Sequence, residues 1–278
     1  MSTQLLIYET AVPVSSGRHG KCSVEPGKGY AFARRINSVP LMAVEFPQAA
    51  AEYAIVFAQS GEDFLPVVIL GARQGENLYV GEDERWNADY VPAFVRRYPF
   101  IFSAGDDGKT FTLCVDEAYP GLNYQGRGQA LFAEGKQTPY VDNVLRFLQE
   151  YRTQFLRTKA FCNKLAEHQL LEPMQAQFTL GSDKMSLGGF MAIDRQKLKA
   201  LPGEVLAKLA TTDELELIYL HLQSMRNFGE VKDRLVSAQA DANKIAPIVT
   251  REPEPAEEKP AARGGKRGPR SESSASAS

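Results

Sequence analysis

The sequence predicts an α+β protein in which a mainly antiparallel sheet packs against helices. Short apolar runs separated by glycine-containing turns, between residues 54 and 115, are typical of strands. The connections between these runs are too short to hold the crossover helices that parallel strands require. A long amphipathic pattern then runs from residue 139 to 170, with Val141, Leu148 and Phe155 on one face. Together, these three observations favour an antiparallel sheet covered by helices.

The first half of the chain contributes most of the predicted sheet. Residues 1 to 40 are punctuated by glycine and proline and predict irregular structure, with one strand at 30–33. A short helix is predicted to begin at Pro47. The strands that follow are predicted at 54–58, 67–70, 78–80, 100–103 and 111–115. The turn at 105–108, which reads Gly-Asp-Asp-Gly, predicts a hairpin between the last two strands.

A compact unit is predicted from residue 77 to 103. It holds a strand, a charged turn, the only tryptophan of the chain, Trp86, a short helix and a second strand. Pro92 suits the first turn of a helix, where its missing N–H costs little. Pro99 restricts the residue before it and ends the helix. We therefore expect one turn or two of helix between these prolines.

The second half of the chain is predicted to be mainly helical. The long helix from 139 is expected to end at Pro173, and a strand pair is expected at 178–180 and 189–193. Asp194 has the position of an N-cap for a short helix over 195–201. Thr211 with Glu214 has the pattern of a capping box and is predicted to open the last helix.

The composition changes sharply near the C-terminus. After Pro247 the chain consists mostly of Pro, Glu, Ala, Lys, Gly and Ser, with no apolar run to offset the entropy of ordering it. We predict a single α+β domain over residues 1–238 and a disordered tail over 239–278.

Charge and motifs exclude several functional classes. A net charge of −2 argues against a general nucleic-acid binder, which normally carries a strong basic excess. The three cysteines are widely spaced and form no CxxC pair, so we expect reduced thiols. No phosphate-binding loop, GxSxG elbow or histidine spacing for metal occurs, and we predict no cofactor and no metal site. The N-terminus lacks a signal-peptide pattern and no run could span a membrane, which predicts a cytoplasmic protein.

Two neighbouring groups of residues are candidates for binding. Trp86, Asp89 and Tyr90 lie in or beside a carboxylate-rich turn, and an indole face stacks on sugar rings and attracts cations. The alternative is a solvated turn with the indole in the core. Arg96 and Arg97 together suit a carboxylate or phosphate. The alternative there is one internally paired arginine and one solvated arginine.

Two further candidates lie outside this region. His221 and Ser224 are three residues apart on a predicted helix and are therefore neighbours, as in a proton-transfer pair. Such a pair requires a carboxylate to orient the ring; the alternative is a half-buried histidine with its hydrogen bonds satisfied. The glycine- and tyrosine-rich loop from 116 to 138 has the composition of a binding loop, or of a plain connector.

A series of short segments, in order and at consistent spacing, resembles a known family. The segments are 39–40 with 45–46, 77–80, Trp86, 90–93 leading into 96–100, 128–132, Thr158, 188–190, 192–194 and 221–224. Over about residues 5 to 236 the chain resembles the SapC family, bacterial proteins named after a surface-layer-associated protein. Glu84 departs from the pattern, which usually has glycine before the tryptophan turn.

The resemblance implies a role in surface-layer or cell-surface protein production, with a secreted protein or the export machinery as partner. It supplies no reaction and no catalytic residue. Our first hypothesis is therefore a non-enzymatic accessory or binding protein, with Trp86, Arg96, Arg97 and nearby acids as its recognition surface. The second is a cytosolic enzyme that modifies a peptide, glycan or small molecule in a pocket near His221 and Arg96 or Arg97, with Asp194 or Asp116 as the acid. Convergence of these side chains in one concave site would favour the enzyme.

Overall fold

The computed structural model of the protein describes residues 6–105, 108–180 and 183–245. Its α-helices are α1 (Ser16–His19), α2 (Phe46–Ala49), α3 (Ala93–Arg96), α4 (Pro139–Glu167), α5 (Arg195–Lys199), α6 (Gly203–Thr211), α7 (Glu214–Ser224) and α8 (Phe228–Ile245). Short 3-10 helices cover Ala31–Ala33, Ala43–Glu45 and Met225–Asn227.

The strands fall into four antiparallel sheets. They are β1 (Ala11–Pro13), β2 (Ser23–Val24), β3 (Ser38–Pro40), β4 (Ile55–Ser60), β5 (Asp63–Ile69), β6 (Phe100–Ala104), β7 (Phe111–Asp116), β8 (Leu122–Asn123), β9 (Gln129–Ala130), β10 (Phe132–Ala133), β11 (Lys136–Gln137), β12 (Leu171–Leu180) and β13 (Asp183–Ile193). The largest sheet has the order β12-β13-β4-β5-β3, and two three-stranded sheets have the orders β1-β7-β6 and β8-β2-β9. β10 pairs with β11. The α+β class with antiparallel sheets is confirmed.

The five-stranded sheet is covered by apolar side chains on both faces at its central strand β4. Side chains alternate between the faces along a strand, so Ile55 and Phe57 of β4 pack into the core shared with α4 and α7. Val56 between them points to the opposite face, where Val231 and Leu235 of α8 cover the sheet. A strand buried on both faces has a continuous apolar sequence, and this explains the unbroken run at the start of β4.

α4 joins two parts of the core. Its N-terminal half packs Val141 and Leu148 against the small sheets, while Phe161 and Leu165 of its C-terminal half pack under the five-stranded sheet. With 29 residues it is continuous and about 43 Å long. The long helix predicted from residue 139 is therefore present and continuous over these residues.

The end of α4 differs from the prediction. The helix ends at Glu167 and not at Pro173, because Gln169 adopts a left-handed conformation with φ of 51°. The Leu170 N–H then donates to Leu165 O at 2.9 Å, which is the Schellman arrangement of a helix end. Pro173 lies in β12, an edge strand, where its missing N–H breaks no inner ladder.

Three local predictions were wrong. Residues 31–33 form a 3-10 helix and not a strand. Residues 78–80 form no strand; Val80 makes only an isolated bridge to Trp86. The capping box at 211–214 does not form, since Asp213 is the N-cap in a left-handed conformation and its side chain makes no capping bond. In each case packing of the surrounding chain overrides the local pattern.

The predicted hairpin is present as β6 and β7, whose register pairs Ala104 with Phe111. Asp106 and Asp107 of its turn lie outside the described residues. α8 continues to Ile245, seven residues beyond the predicted domain boundary, and residues 246–278 of the predicted tail lie outside the described part of the chain. No helix among the described residues has the length and apolar character needed to cross a membrane.

Candidate binding cleft

Two buried or partly buried carboxylates fix the segment that leads into α3. Glu52 accepts the backbone N–H groups of Asp89 and Tyr90 at 2.8 and 2.9 Å. Glu45, only 3% exposed, accepts the Ala93 N–H at 2.7 Å and the Tyr90 hydroxyl at 2.6 Å. The Ala93 N–H belongs to the first turn of α3, where backbone donors have no partner within the helix. The carboxylate of Glu45 therefore caps α3 and sets its position.

The Glu45 carboxylate also closes its own local turn. Its second oxygen accepts the Met42 N–H at 2.8 Å, so one side chain joins residues 42, 90 and 93. Burial, together with the neighbouring Glu45 charge, raises the pKa of Tyr90, and its hydroxyl stays protonated as a donor. Residues 45–46 belong to the segments that resemble the family, but the local pattern around Glu45 does not distinguish it from a surface glutamate and predicted no role for it.

Arg96 is the exposed cation of α3. Its Nε donates to Val91 O at 2.9 Å, and its guanidinium lies 5.8 Å from the Tyr90 ring centre and 5.6 Å from that of Phe147. This places Arg96 on the ridge between two concavities. One is a cleft of about 540 Å³ that also contains Trp86, and the other is a smaller one of about 310 Å³ that contains Tyr90.

The larger concavity, which we call the aromatic cleft, has six aromatic residues in its lining: Tyr30, Phe32, Trp86, Tyr98, Tyr119 and Tyr140. Five of their rings contact one another in sequence. Trp86 meets Tyr30 edge-on at 5.6 Å, Tyr30 lies 6.1 Å from Phe32, and Phe32 stacks on Tyr98 at 3.9 Å. Tyr98 in turn meets Tyr119 edge-on at 5.4 Å. The result is a continuous aromatic floor with Arg96 at its side.

Trp86 is part of this floor and also of the core. Its side chain is 9% exposed and its Nε1 donates to the Tyr53 hydroxyl at 2.8 Å. Burial raises the pKa of Tyr53, which stays neutral and donates in turn to the carbonyl of Tyr90. The indole is therefore held in place by this hydrogen bond and contributes only a small exposed area to the cleft.

One rim of the cleft depends on two residues with positive φ. Gly29 has φ of 83°, and a Cβ on it would lie 2.7 Å from the Cβ of Glu84. Glu84 itself has φ of 63°, a conformation that glycine adopts more easily. This explains why the family pattern usually has glycine at the position of Glu84.

The two adjacent arginines do not act together. Arg97 is 4% exposed and faces away from the aromatic cleft, among the rings of Tyr8, Phe94 and Tyr151 at 5.6, 4.2 and 5.0 Å. Consecutive residues on a helix point about 100° apart, so neighbours in sequence diverge in space. Arg96 therefore lines the aromatic cleft and Arg97 does not, while Asp89 is exposed but lines neither of the two concavities around Arg96.

The side chains of His221 and Ser224 both hydrogen-bond to backbone groups of the five-stranded sheet. The Nδ1 of His221 contacts Ile55 O at 2.9 Å, and its Nε2 accepts the Ile193 N–H at 3.0 Å, which makes the ring a neutral bridge between β4 and β13. Ser224 accepts the Ile55 N–H at 3.1 Å and donates to His221 O at 2.7 Å. Burial lowers the pKa of His221 to about 4. Both ring nitrogens are thus occupied, and among the described residues no carboxylate hydrogen-bonds to His221 or Ser224.

Asp194 is the N-cap of α5, as the sequence predicted. Its Oδ1 accepts the N–H groups of Gln196 and Lys197 at 2.7 and 3.2 Å. It lies in neither of the two concavities around Arg96. Among the described residues, no cluster of three or more His, Cys, Asp or Glu side chains is arranged to hold a metal ion.

Asp194→Ala is expected to lower the free energy of unfolding by about 1 kcal/mol, because two N–H groups of α5 lose their acceptor. Urea unfolding measures the change. Asp194→Asn serves as the matched control, since its side-chain oxygen can still cap the helix. Equal losses in the two variants would contradict a capping role.

The fold and the cleft together define an α+β protein with an open, aromatic-lined concavity beside an exposed arginine. A family model described as SapC matches residues 14–231, and the chain belongs to the SapC family. Neither the curated proteins nor the solved structures contain a match to it.

Proposed function

We propose that this chain is a non-enzymatic accessory protein that binds an extended peptide segment of a surface-layer or secreted protein in the aromatic cleft. The observation that carries the proposal is the aromatic floor with Arg96 beside it. Grooves lined by aromatic rings bind extended and proline-containing peptides, whose conformation costs little entropy to fix. The charged lining residues are Glu84, Arg85 and Arg96, a net charge of +1, which favours a segment that carries a carboxylate. The proposal places this binding in the cytoplasm, which fractionation of host cells tests.

The alternative of an enzyme built around His221 gains no support from the geometry. Its two ring nitrogens are taken by Ile193 and Ile55, and the ring is buried beneath the five-stranded sheet. Asp116 lies elsewhere, where its carboxylate accepts the N–H groups of Glu9 and Thr10 at 2.9 Å. We therefore propose binding and no reaction.

Peptide binding is expected to depend on Arg96. Peptides that tile the surface-layer and secreted proteins of the host are titrated against the full chain, with the fluorescence of Trp86 as readout. Arg96→Gln is expected to weaken the best peptide about tenfold, because central arginines and aromatics dominate such interfaces. Arg157→Gln, an exposed arginine of α4 outside the cleft, is the matched control and is expected to bind as the parent does. Equal affinity in the two variants, or no peptide bound at all, would refute the proposal.

A further inference from the structure

A third concavity lies apart from the aromatic cleft and has no lining residue in common with it. It has a volume of about 580 Å³ and is formed between the sheet β1-β7-β6 and one face of α4. Arg97, at the end of α3, closes its inner end. We call it the guanidinium cavity. The size is that of sites that take small organic molecules.

The walls of the guanidinium cavity are mainly apolar. Phe102 and Phe111 come from the sheet, and Leu148, Phe155 and Leu156 come from α4. Leu156 is 56% exposed at this site, so an aliphatic side chain is in contact with solvent there. Such a surface gains free energy when the alkyl or aromatic body of a ligand covers it.

The described residues of the cavity lining carry charge of one sign. They include Arg97 and Arg152, and no aspartate or glutamate. Arg97 is held by the three aromatic rings around it, and Arg152 lies over the ring of Phe111 at 3.7 Å. The guanidinium of Arg97 is buried, so little water would screen its interaction with an anion, while Arg152 is exposed.

A neutral donor lies close to these two arginines. Burial raises the pKa of Tyr151, with the Arg97 charge opposing the shift, so its phenol stays protonated. Tyr151 lines the cavity next to Arg152 on α4. A protonated phenol can donate a hydrogen bond to an anionic oxygen.

We propose that the guanidinium cavity binds a small amphipathic carboxylate, with its head group between Arg97 and Arg152 and its apolar body against Phe155 and Leu156. The mixture of two cations with aliphatic and aromatic walls matches a fatty-acid-like molecule better than a sugar or a metal ion. This site is independent of the peptide cleft and does not depend on the function proposed for it.

The test uses octanoate as the probe and 1-octanol as its uncharged counterpart, titrated into the full chain and followed by NMR. Octanoate is expected to saturate with a dissociation constant near or below about 1 mM, a modest value for ten heavy atoms. Octanol is expected to bind at least fivefold more weakly. Arg152→Gln is expected to weaken octanoate about fivefold, the scale of an exposed ion pair. Arg157→Gln, on the same helix but outside the cavity, is expected to leave octanoate binding unchanged.

Ser103→Phe provides a second variant that does not depend on charge. Ser103 lines the cavity and is exposed, so a larger side chain fills the space without entering the core. It is expected to abolish octanoate binding. The fluorescence of Trp86, which belongs to the aromatic cleft, is expected to stay constant throughout, so failure of one site is distinguishable from failure of the other. Equal affinity for octanoate and octanol, an unaffected Arg152→Gln variant, or no saturable binding would each overturn the proposal.

Discussion

Glu45→Ala is expected to lower the free energy of unfolding by about 4 kcal/mol, the largest effect of any single change considered for this protein. The substitution removes the acceptor of the Met42 and Ala93 N–H groups and of the Tyr90 hydroxyl, all at 2.6 to 2.8 Å. Each buried donor left without a partner costs about 1 to 3 kcal/mol. Urea or guanidinium unfolding measures the loss.

Two controls separate the hydrogen bonds from the loss of a side chain. Glu45→Gln keeps one carbonyl oxygen, so some of the donors that bind Glu45 still have an acceptor. The free energy of unfolding is therefore expected to fall by roughly half as much as in Glu45→Ala. Glu167→Ala removes an exposed glutamate at the end of α4 and is expected to change stability by no more than about 0.5 kcal/mol. A small effect of Glu45→Ala, close to that of Glu167→Ala, would show that the carboxylate does not hold the segment. Because Glu45 also positions α3, its loss is expected to weaken peptide binding through Arg96.

The second large effect expected is a dependence of the free energy of unfolding on pH, caused by the titration of His221. Burial lowers the pKa of this histidine from its ordinary value of 6.5 to about 4 in the folded protein. Between these values the unfolded chain binds a proton that the folded chain does not, so acid favours unfolding. The stabilising contribution is complete above pH 6.5 and is lost as the pH falls toward 4. Between pH 7.5 and 5.0 the expected loss is about 2 kcal/mol.

Urea unfolding at pH 7.5 and at pH 5.0 tests this assignment when variants are compared. His221→Gln has no imidazole to protonate, and its loss between the two pH values is expected to be about 2 kcal/mol smaller than that of the parent. His168→Gln, a substitution at the C-cap of α4, is expected to lose as much stability between the two pH values as the parent does. If the two variants have the same pH dependence, the titrating group is not His221.

The arginines show why part of the site was predictable and part was not. The helix between Pro92 and Pro99 follows from local chemistry, and α3 lies there. A period of 3.6 residues already implies that Arg96 and Arg97 diverge. Which of them faces solvent depends on α4, whose Phe147 and Tyr151 receive one guanidinium each. Those contacts join residues about 50 positions apart, and no local pattern encodes them.

The histidine gives the complementary case. His221 and Ser224 have the spacing of a functional pair, and the same spacing suits two side chains that bind one strand. In the structure, Ser224 accepts the Ile55 N–H and His221 contacts the Ile55 C=O, at a point where α7 crosses β4. Buried backbone groups need partners, and the side chains nearest to them supply these partners.

The sequence by itself determined the SapC family, the α+β class, the β6–β7 hairpin, the long helix and the cap at Asp194, because these depend on neighbouring residues and on local periodicity. Only the tertiary structure decided which polar side chains line a concavity and which satisfy the backbone. Glu45 and His221 are buried and hydrogen-bond to the backbone, while Arg96 and Arg152 are exposed and line concavities. The physical reason is that burial and hydrogen-bond demand are set by contacts between distant segments, which arise only when the chain has folded.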